Sequence, residues 1–295
     1  MSVTRLAFKL EDGHNYIDLA KALSMYQRTL IRQKQNFTVL GAQIVDNSDL
    51  TAKISTAPNT WYVRAAINRC FRAWKNQRHQ TLQNLDATHQ EENVGKFADF
   101  KISLNGANPS LTRDPIWTDN PSQSLSTLAP AREWVIASVT DETAPASGGE
   151  RHFKIVGDHD NTWYGATKGW LETRPLPDDT YEPEYTDLDG DNVTDAHVDF
   201  LHNLNQTEDG NETRIGLLYD DNDNAPYAVT NVYGNYDDDY NLQLQSLVIM
   251  NATASGATSQ MIAGFKALCG LIHVHIQNGS GPVLFIDVMN TPEAF

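Results

Sequence analysis

Short apolar segments rich in β-branched residues recur along the chain and limit the fold that it can adopt. Ten of them show partial alternation of apolar and polar residues, and clusters of Asn, Asp, Gly, Pro and Ser separate them. They cover residues 3–10, 36–45, 50–56, 97–104, 133–140, 151–157, 213–219, 242–250, 267–277 and 283–289. Because helices do not alternate with these segments, we expect an all-β fold, a single jelly-roll sandwich, rather than a doubly wound α/β sheet.

One segment breaks this pattern and predicts a basic amphipathic helix inserted between strands, over residues 61–85. Its apolar stripe consists of Val63, Ile67, Cys70, Phe71 and Trp74. A second face carries Arg64, Asn68, Arg72, Lys75 and His79. Asn59 or Thr60 is suited to cap the start of this helix. A weaker helical pattern covers residues 16–31, where a surface loop is the alternative.

The chain length of 295 residues fits one large all-β domain or two ordinary domains. Residues 175–240 are poor in apolar side chains, so we expect acidic insertion loops on one domain that spans residues 1–295. The two cysteines give no disulfide framework. We expect neither a signal peptide nor a membrane span, because no apolar run approaches the roughly 20 residues that a span needs.

Charge is distributed unevenly along the chain. Residues 1–80 hold 12 Lys and Arg against 5 Asp and Glu, whereas residues 175–240 hold 18 acidic residues and one basic residue, Arg214. The net charge is −16. This asymmetry predicts two surfaces for different surroundings, one attracting polyanions and one repelling them. The alternative is that the acidic loops only solvate the protein, which would explain the asymmetry in full.

The acidic segment contains a partial calcium-binding pattern. Asp187, Asp189, Asp191 and Asp195 have the spacing of alternate oxygen ligands. However, the glycine of the turn comes at Gly190, two positions early, and Val198 stands where a bidentate glutamate is needed. The residues therefore favour a solvated acidic loop, with a calcium site as the alternative.

Two histidine patterns are candidates for catalysis or metal binding. His273 and His275 share one face of a predicted strand, as in the metal motif of cupins, but no histidine follows and only Asp287 offers a carboxylate. His159 lies between Asp158 and Asp160, an arrangement suited to proton transfer. The simpler interpretation is packed histidines in the first case and a polar turn in the second. No common catalytic motif is found, and we do not expect an enzyme.

Cations interleaved with aromatic residues are the third candidate site. Such a surface suits single-stranded nucleic acid, since phosphates contact the cations and bases stack on the rings, without sequence specificity. The alternative is an ordinary solvated helix face. The candidate residues are Arg28, Arg32, Lys34, Arg64, Arg69, Arg72, Lys75 and Arg78.

Three segments in order resemble the capsid proteins of uncultured circular single-stranded DNA viruses that encode a replication initiator. They are LSMYQRTLIRQKQNFTVLGAQI, ISTAPNTWYVRAAINRCFRAWKNQ and KFADFKISLNG, within residues 15–105. The resemblance implies a jelly roll that assembles, as 60 copies or a multiple, into an icosahedral shell around circular single-stranded DNA inside the host cell. Arg28, Arg32, Arg64, Arg72 and Lys75 lie in the matching segments and would face the interior of the virion, with the acidic loops outside.

One departure from this family and two other functions stay open. Many of these capsid proteins begin with a long arginine-rich arm, which is not found here. The first alternative is a secreted or surface β-sandwich that binds carbohydrate or calcium. The second is a cupin-like metalloenzyme that uses His273 and His275. The capsid interpretation predicts no cofactor apart from a candidate calcium ion, no membrane partner, and a host receptor that the sequence does not identify.

Overall fold

A computed structural model describes residues 3–83, 98–107, 111–117, 120–124, 134–140, 150–172, 242–251, 258–289 and 293–294. The helices are α1 (Leu19–Gln27), α2 (Trp61–Gln83) and α3 (Ala166–Glu172). The strands are β1 (Val3–Lys9), β2 (Gly13–Asp18), β3 (Gln35–Asp46), β4 (Leu50–Thr56), β5 (Thr112–Arg113), β6 (Ile116–Trp117), β7 (Asn120–Ser124), β8 (Ser138–Thr140), β9 (Glu150–Lys154), β10 (Trp163–Gly165), β11 (Gln243–Met250), β12 (Thr258–Leu268), β13 (Leu271–Gln277), β14 (Val283–Met289) and β15 (Glu293–Ala294).

Two five-stranded sheets form the body of the described chain. The first sheet has the order β1-β14-β3-β12, and β15 also pairs with β3. The second sheet has the order β11-β4-β13-β2-β5. All pairs in the two sheets are antiparallel except β2–β5. Each sheet therefore interleaves strands from the two ends of the sequence.

The two sheets share one hydrophobic core. Phe8, Phe37 and Ile286 come from the first sheet, and Ile54 and Val274 come from the second, all within one cluster of buried residues. Along β14, and along β4 as far as Ile54, these residues alternate with more exposed ones, as the two-residue period of a strand requires. Fully burying a side chain of this size contributes about 1.5–3 kcal/mol, so the shared cluster stabilises the pairing of the sheets. The expected all-β sandwich is confirmed at this level.

The predicted strand over residues 267–277 was wrong as a single strand. The chain reverses at Cys269 and Gly270, with φ of 56° and 69°, so that β12 lies in the first sheet and β13 in the second. A Cβ atom on Gly270 would lie 3.0 Å from Phe37 Cδ2, which explains why this turn requires glycine. Cys269 and Cys70 are both buried and free, in agreement with the absence of a disulfide framework.

Other predicted elements differ in extent. Residues 98–104 form no strand, although Phe100, Ile102 and Leu104 are buried and Ser103 makes one bridge to Lys154. Residues 133–140 and 151–157 are reduced to β8 and β9. The choice between helix and loop in residues 16–31 is settled by α1, which Asp18 caps and which ends where Arg28 adopts a φ of 54°. The strand predicted over residues 213–219 lies outside the described residues.

A smaller layer of the molecule contains α2, α3 and the sheet β10-β9-β8. Aromatic rings join its parts: Phe100 lies 5.7 Å from Phe71 on α2 and 5.6 Å from Phe153 on β9, between ring centroids. Gln77 on α2 bonds both backbone groups of Thr140, donating to its oxygen at 2.9 Å and accepting from its nitrogen at 3.0 Å. These contacts fix the orientation of α2, which carries most of the candidate cations.

Candidate nucleic-acid interface

Helix α2 forms because its apolar stripe has a surface to pack against. Val63, Ile67 and Cys70 are buried, while Phe71 and Trp74 are half-buried, as the helical spacing predicts. The Thr60 carbonyl accepts a hydrogen bond from the Arg64 nitrogen at 3.2 Å, which places Thr60 directly before the helix. Its hydroxyl is buried without a hydrogen-bond partner, so the expected side-chain cap by Thr60 is not formed. Burial raises the pKa of the Cys70 thiol to about 12, which is expected of a cysteine that only packs.

The opposite face of α2 presents cations to solvent. Arg69, Arg72 and Lys75 are exposed, and their spacing of three residues puts them on one side of the helix. Arg78 is half-buried, with its guanidinium 6.0 Å from the centroid of the Trp74 ring. Arg64 is also half-buried, and its Nε donates to Asn59 Oδ1 at 2.7 Å. Arg72 and Lys75 are therefore exposed on this face, whereas the side chain of Arg64 is fixed by Asn59.

The segment after α1 brings further cations to the same region. Arg28 and Arg32 are exposed, and Lys34 is half-buried with its Nζ 4.8 Å from the centroid of the Phe71 ring on α2. Burial lowers the pKa of Lys34, and the positive charge of the neighbouring Arg72 lowers it further. Two parts of the sequence that are about 40 residues apart therefore meet through Lys34, Phe71 and Arg72.

Several of these cations have no acidic partner within the part of the chain that the structure describes. Arg28, Arg32, Arg72 and Lys75 make no ion pair with any residue of the described ranges. By contrast, Arg5 makes two bonds of 2.7 Å to Asp287, and Arg113 lies 2.6 Å from Glu11. The two sets differ in what they can bind, because an unneutralised cation attracts phosphate and a paired one does so weakly.

Gln33, between Arg32 and Lys34, holds this segment in position. It is buried, and its Nε2 donates to Asp18 Oδ2 at 3.1 Å and to the Ile102 oxygen at 3.0 Å. Its Oε1 accepts from the Ile102 nitrogen at 2.6 Å. A buried amide with three satisfied bonds fixes the backbone on either side of it, and so fixes the neighbouring cations.

Asp18 is the centre of this buried network. Its carboxylate caps α1 by accepting from the Lys21 nitrogen at 3.0 Å, and its other oxygen accepts from Trp134 Nε1 at 2.8 Å. Burial raises its pKa to about 6, against the lowering effect of these bonds. The neutral form is therefore favoured more in the folded state than in the unfolded state.

We expect the Asp18 carboxyl to make stability increase as the pH falls from 7 to 4. The folded protein takes up this proton near pH 6 and the unfolded chain only near its ordinary value of 3.8, so the contribution is lost as pH rises through 6. The difference in free energy of unfolding between the wild type and Asp18→Asn should grow by about 2–3 kcal/mol over this range. Urea denaturation at pH 4, 5 and 7 measures it.

Asp287→Asn is the control of opposite sign. The hydrogen bond from Arg5 lowers the pKa of Asp287 below its ordinary value of 3.8, so the advantage of the wild type over this variant should stay nearly constant between pH 7 and 5 and shrink as the pH falls below about 4. A difference between the wild type and Asp18→Asn that stays constant with pH would contradict a raised pKa for Asp18.

The histidines of β13 are packed against neighbouring rings. His273 is buried, and its Nε2 lies 3.0 Å from Nδ1 of His14 on β2. His275 stacks on His14 with ring centroids 4.4 Å apart, and Tyr16 stacks on His273 at 4.9 Å. Over the described ranges, no group of three or more His, Cys, Asp or Glu residues has a geometry that could hold a metal ion. The contact of His14 with these two histidines was not predicted from the sequence, because β2 was not predicted as a strand.

The segment around His159 is a structured polar turn, as the simpler interpretation expected. Asp160 Oδ1 accepts from the Thr162 and Trp163 nitrogens at 2.7 and 2.6 Å. His159 Nδ1 accepts from the Gly165 nitrogen at 3.0 Å, and its ring stacks on Tyr164 at 4.5 Å. These bonds lead the chain into β10. Asp187, Asp189, Asp191 and Asp195 of the candidate calcium loop lie outside the described residues, as does the whole acidic segment 175–240.

A cavity of about 440 Å³ lies beside the Asp18 network and was not predicted from the sequence. Its walls include Trp134, His152, Trp163 and Ile272. This volume is within the usual range of small-molecule sites. Of its polar lining residues, Asp18, Lys21 and Gln33 bond one another or other protein groups.

Comparison with known proteins adds no relative. No protein-family model, no curated protein and no solved structure matches this chain. Within the described residues, the search for helices that are long and apolar enough to cross a membrane finds none.

Proposed function

We propose that this chain is the major capsid protein of a circular single-stranded DNA virus, a structural protein without enzymatic activity. The observation that carries the proposal is the combination of the strand order in the two sheets with the exposed cations of α2 and of the segment before β3. In the proposed virion, copies of the chain form an icosahedral shell of 60 subunits or a multiple, assembled inside the host cell, as the resemblance of the sequence implies.

The strand order supports a jelly roll. Taking the eight long strands β1, β2, β3, β4, β11, β12, β13 and β14 as first to eighth, the first pairs with the eighth, the second with the seventh, the third with the sixth, and the fourth with the fifth. The sheets then read 1-8-3-6 and 2-7-4-5. This arrangement results when one long hairpin of four antiparallel strand pairs is rolled up so that its strands divide between two sheets, which is the jelly roll. Viral capsid domains are among the proteins that have this fold.

The cationic surface supports a polyanionic partner. Arg28, Arg32, Arg72 and Lys75 are exposed cations, and Lys34, in the same segment as Arg28 and Arg32, lies over the aromatic ring of Phe71 on α2. The surface has no motif that reads base edges, so binding to single-stranded DNA is nonspecific and depends on phosphate contacts. In a net charge of −16, this concentration of cations on one helix and one segment suits a subunit whose inner side meets DNA and whose other sides meet solvent.

Lectin domains and cupins also use jelly rolls, so the fold alone does not select a capsid. Assembly distinguishes these functions, because closed symmetric shells repeat one type of interface until they close. A carbohydrate-binding or metal-dependent jelly roll has no need of such repetition. Calcium at Asp187–Asp195 would be compatible with either, since divalent cations bridge carboxylates between subunits as readily as within them.

We expect the purified protein to form uniform closed particles. Negative-stain microscopy and sedimentation velocity, over a range of salt and with calcium or a chelator, measure this directly. After nuclease treatment, the particles should still contain nucleic acid, visible as a raised ratio of absorbance at 260 and 280 nm. A monomer or small oligomer under all of these conditions would refute the proposal.

A further inference from the structure

Strand β11 presents an unusual concentration of exposed apolar side chains. Leu244, Leu247 and Ile249 are 56%, 50% and 62% exposed. They are three of nine large apolar side chains that are exposed in the described part of the chain, on a strand of eight residues. We call these three residues the β11 patch. Contiguous exposed apolar surface of this kind commonly marks an interaction site.

The patch lies at an open edge of a sheet. Strand β11 is the terminal strand of the second sheet, where it pairs with β4 and leaves its other side without a strand among the described residues. Val248 and Met250 point into the core, so Leu247 and Ile249 point away from it. An open edge offers backbone donors and acceptors, and next to apolar side chains it is a template for association.

The sequence of β11 lacks the usual protection of such an edge. Soluble proteins commonly place charges, especially lysine, or proline on edge strands to prevent association. The strand QLQSLVIM has neither, although 20% of the residues in the whole chain are charged. The nearest charge in the pairing register is the half-buried Lys53 of β4, opposite Leu247.

We propose that the β11 patch and its open edge form a contact between copies of this chain. A net charge of −16 makes two copies repel each other over most of their surfaces. An uncharged strand is a surface on which they can approach without opposing like charges, and no cation on it favours nucleic acid. The inference rests on the proposed function, because a shell requires repeated contacts between copies, and it identifies one of those contacts.

The test uses two variants of the full chain with the same added charge. Leu247→Lys with Ile249→Lys places two cations in the β11 patch. Val3→Lys with Leu40→Lys is the matched control, since those residues are 49% and 50% exposed on strands of the first sheet. Circular dichroism and thermal melting establish that each variant is folded. If the lysine pair does not fold, Leu247→Ser with Ile249→Thr, which retains β-branching at position 249, replaces it.

We expect the patch variant to raise the protein concentration needed for assembly at least tenfold, while the control assembles like the wild type. Sedimentation velocity across a concentration series measures both. Assembly of the patch variant at the wild-type concentration would overturn the inference and leave the proposed function standing. A wild-type dimer, without particles, that the patch variant loses would support the contact and refute the capsid. A wild type that stays monomeric at every concentration would refute both.

Discussion

Replacing Arg32, Arg72 and Lys75 with glutamine should weaken binding to a single-stranded DNA oligonucleotide by about 10-fold to 100-fold at about 0.15 M salt. These three side chains are exposed and make no ion pair with the described residues, so each can contact a phosphate. Each phosphate contact contributes a slope of about −0.7 to the dependence of log K on log salt for single strands. The salt dependence of the variant should therefore be less steep by about 2.

Fluorescence anisotropy with a labelled oligonucleotide of mixed sequence, titrated at several salt concentrations, measures both quantities. The matched control is Lys9→Gln, Lys53→Gln and Lys266→Gln, which changes the net charge equally on strands outside the candidate interface. The melting temperature of the Arg32, Arg72 and Lys75 variant should stay close to that of the wild type, because exposed helix and loop positions carry little stability. The melting temperature of the control variant establishes that it is folded at the temperature of the binding measurement. An equal loss of affinity in the two variants would indicate a general effect of charge and contradict a defined interface.

The largest effect on stability is expected from Gln33. Changing it to alanine removes both hydrogen bonds to the Ile102 backbone and one donor to the Asp18 carboxylate, all in a buried site. Each unsatisfied buried group is worth about 1–3 kcal/mol, so we expect a loss of about 3–5 kcal/mol in the free energy of unfolding. Urea denaturation followed by tryptophan fluorescence measures the loss, since Trp134 bonds the same Asp18 oxygen.

A second variant separates the contribution of the hydrogen bonds of Gln33 from that of its side-chain volume, and a third variant is a surface control. Gln33→Met retains the length of the side chain, and we expect it to lose nearly as much stability as the alanine variant, because the unsatisfied polar groups are the same. Gln260→Ala, at an exposed position on β12, should change stability by less than about 0.5 kcal/mol. A methionine variant as stable as the wild type would mean that packing, and not the amide, fixes this segment.

Strands with clear apolar alternation could be predicted from the sequence, and weakly patterned ones could not. The predicted segments 50–56 and 283–289 coincide with β4 and β14, because their buried and exposed residues alternate. Strand β2, with the sequence GHNYID, was missed because it buries Asn15 and Asp18 as well as apolar residues. Most of β12 was missed because, of residues 259–264, only Ile262 is buried.

The candidate site was predictable as a set of residue types but not as an arrangement. Helical spacing indicated which cations of α2 face solvent, and Arg72 and Lys75 are exposed as expected. The meeting of Lys34 with Phe71 depends on the buried bonds of Gln33 to Asp18 and Ile102, which join residues far apart in the sequence. Periodicity is a local signal and carries no information about such contacts.

The position of β14 has a consequence for synthesis of the protein. This strand lies between β1 and β3, so residues 3–9 acquire their partner only when residues 283–289 are available. Pairing over such a separation makes folding slow and prevents the first sheet from closing on a partly translated chain. A nascent chain therefore cannot complete the first sheet before residues 283–289 have left the ribosome, and the end of translation sets the moment at which its amino-terminal strand becomes paired.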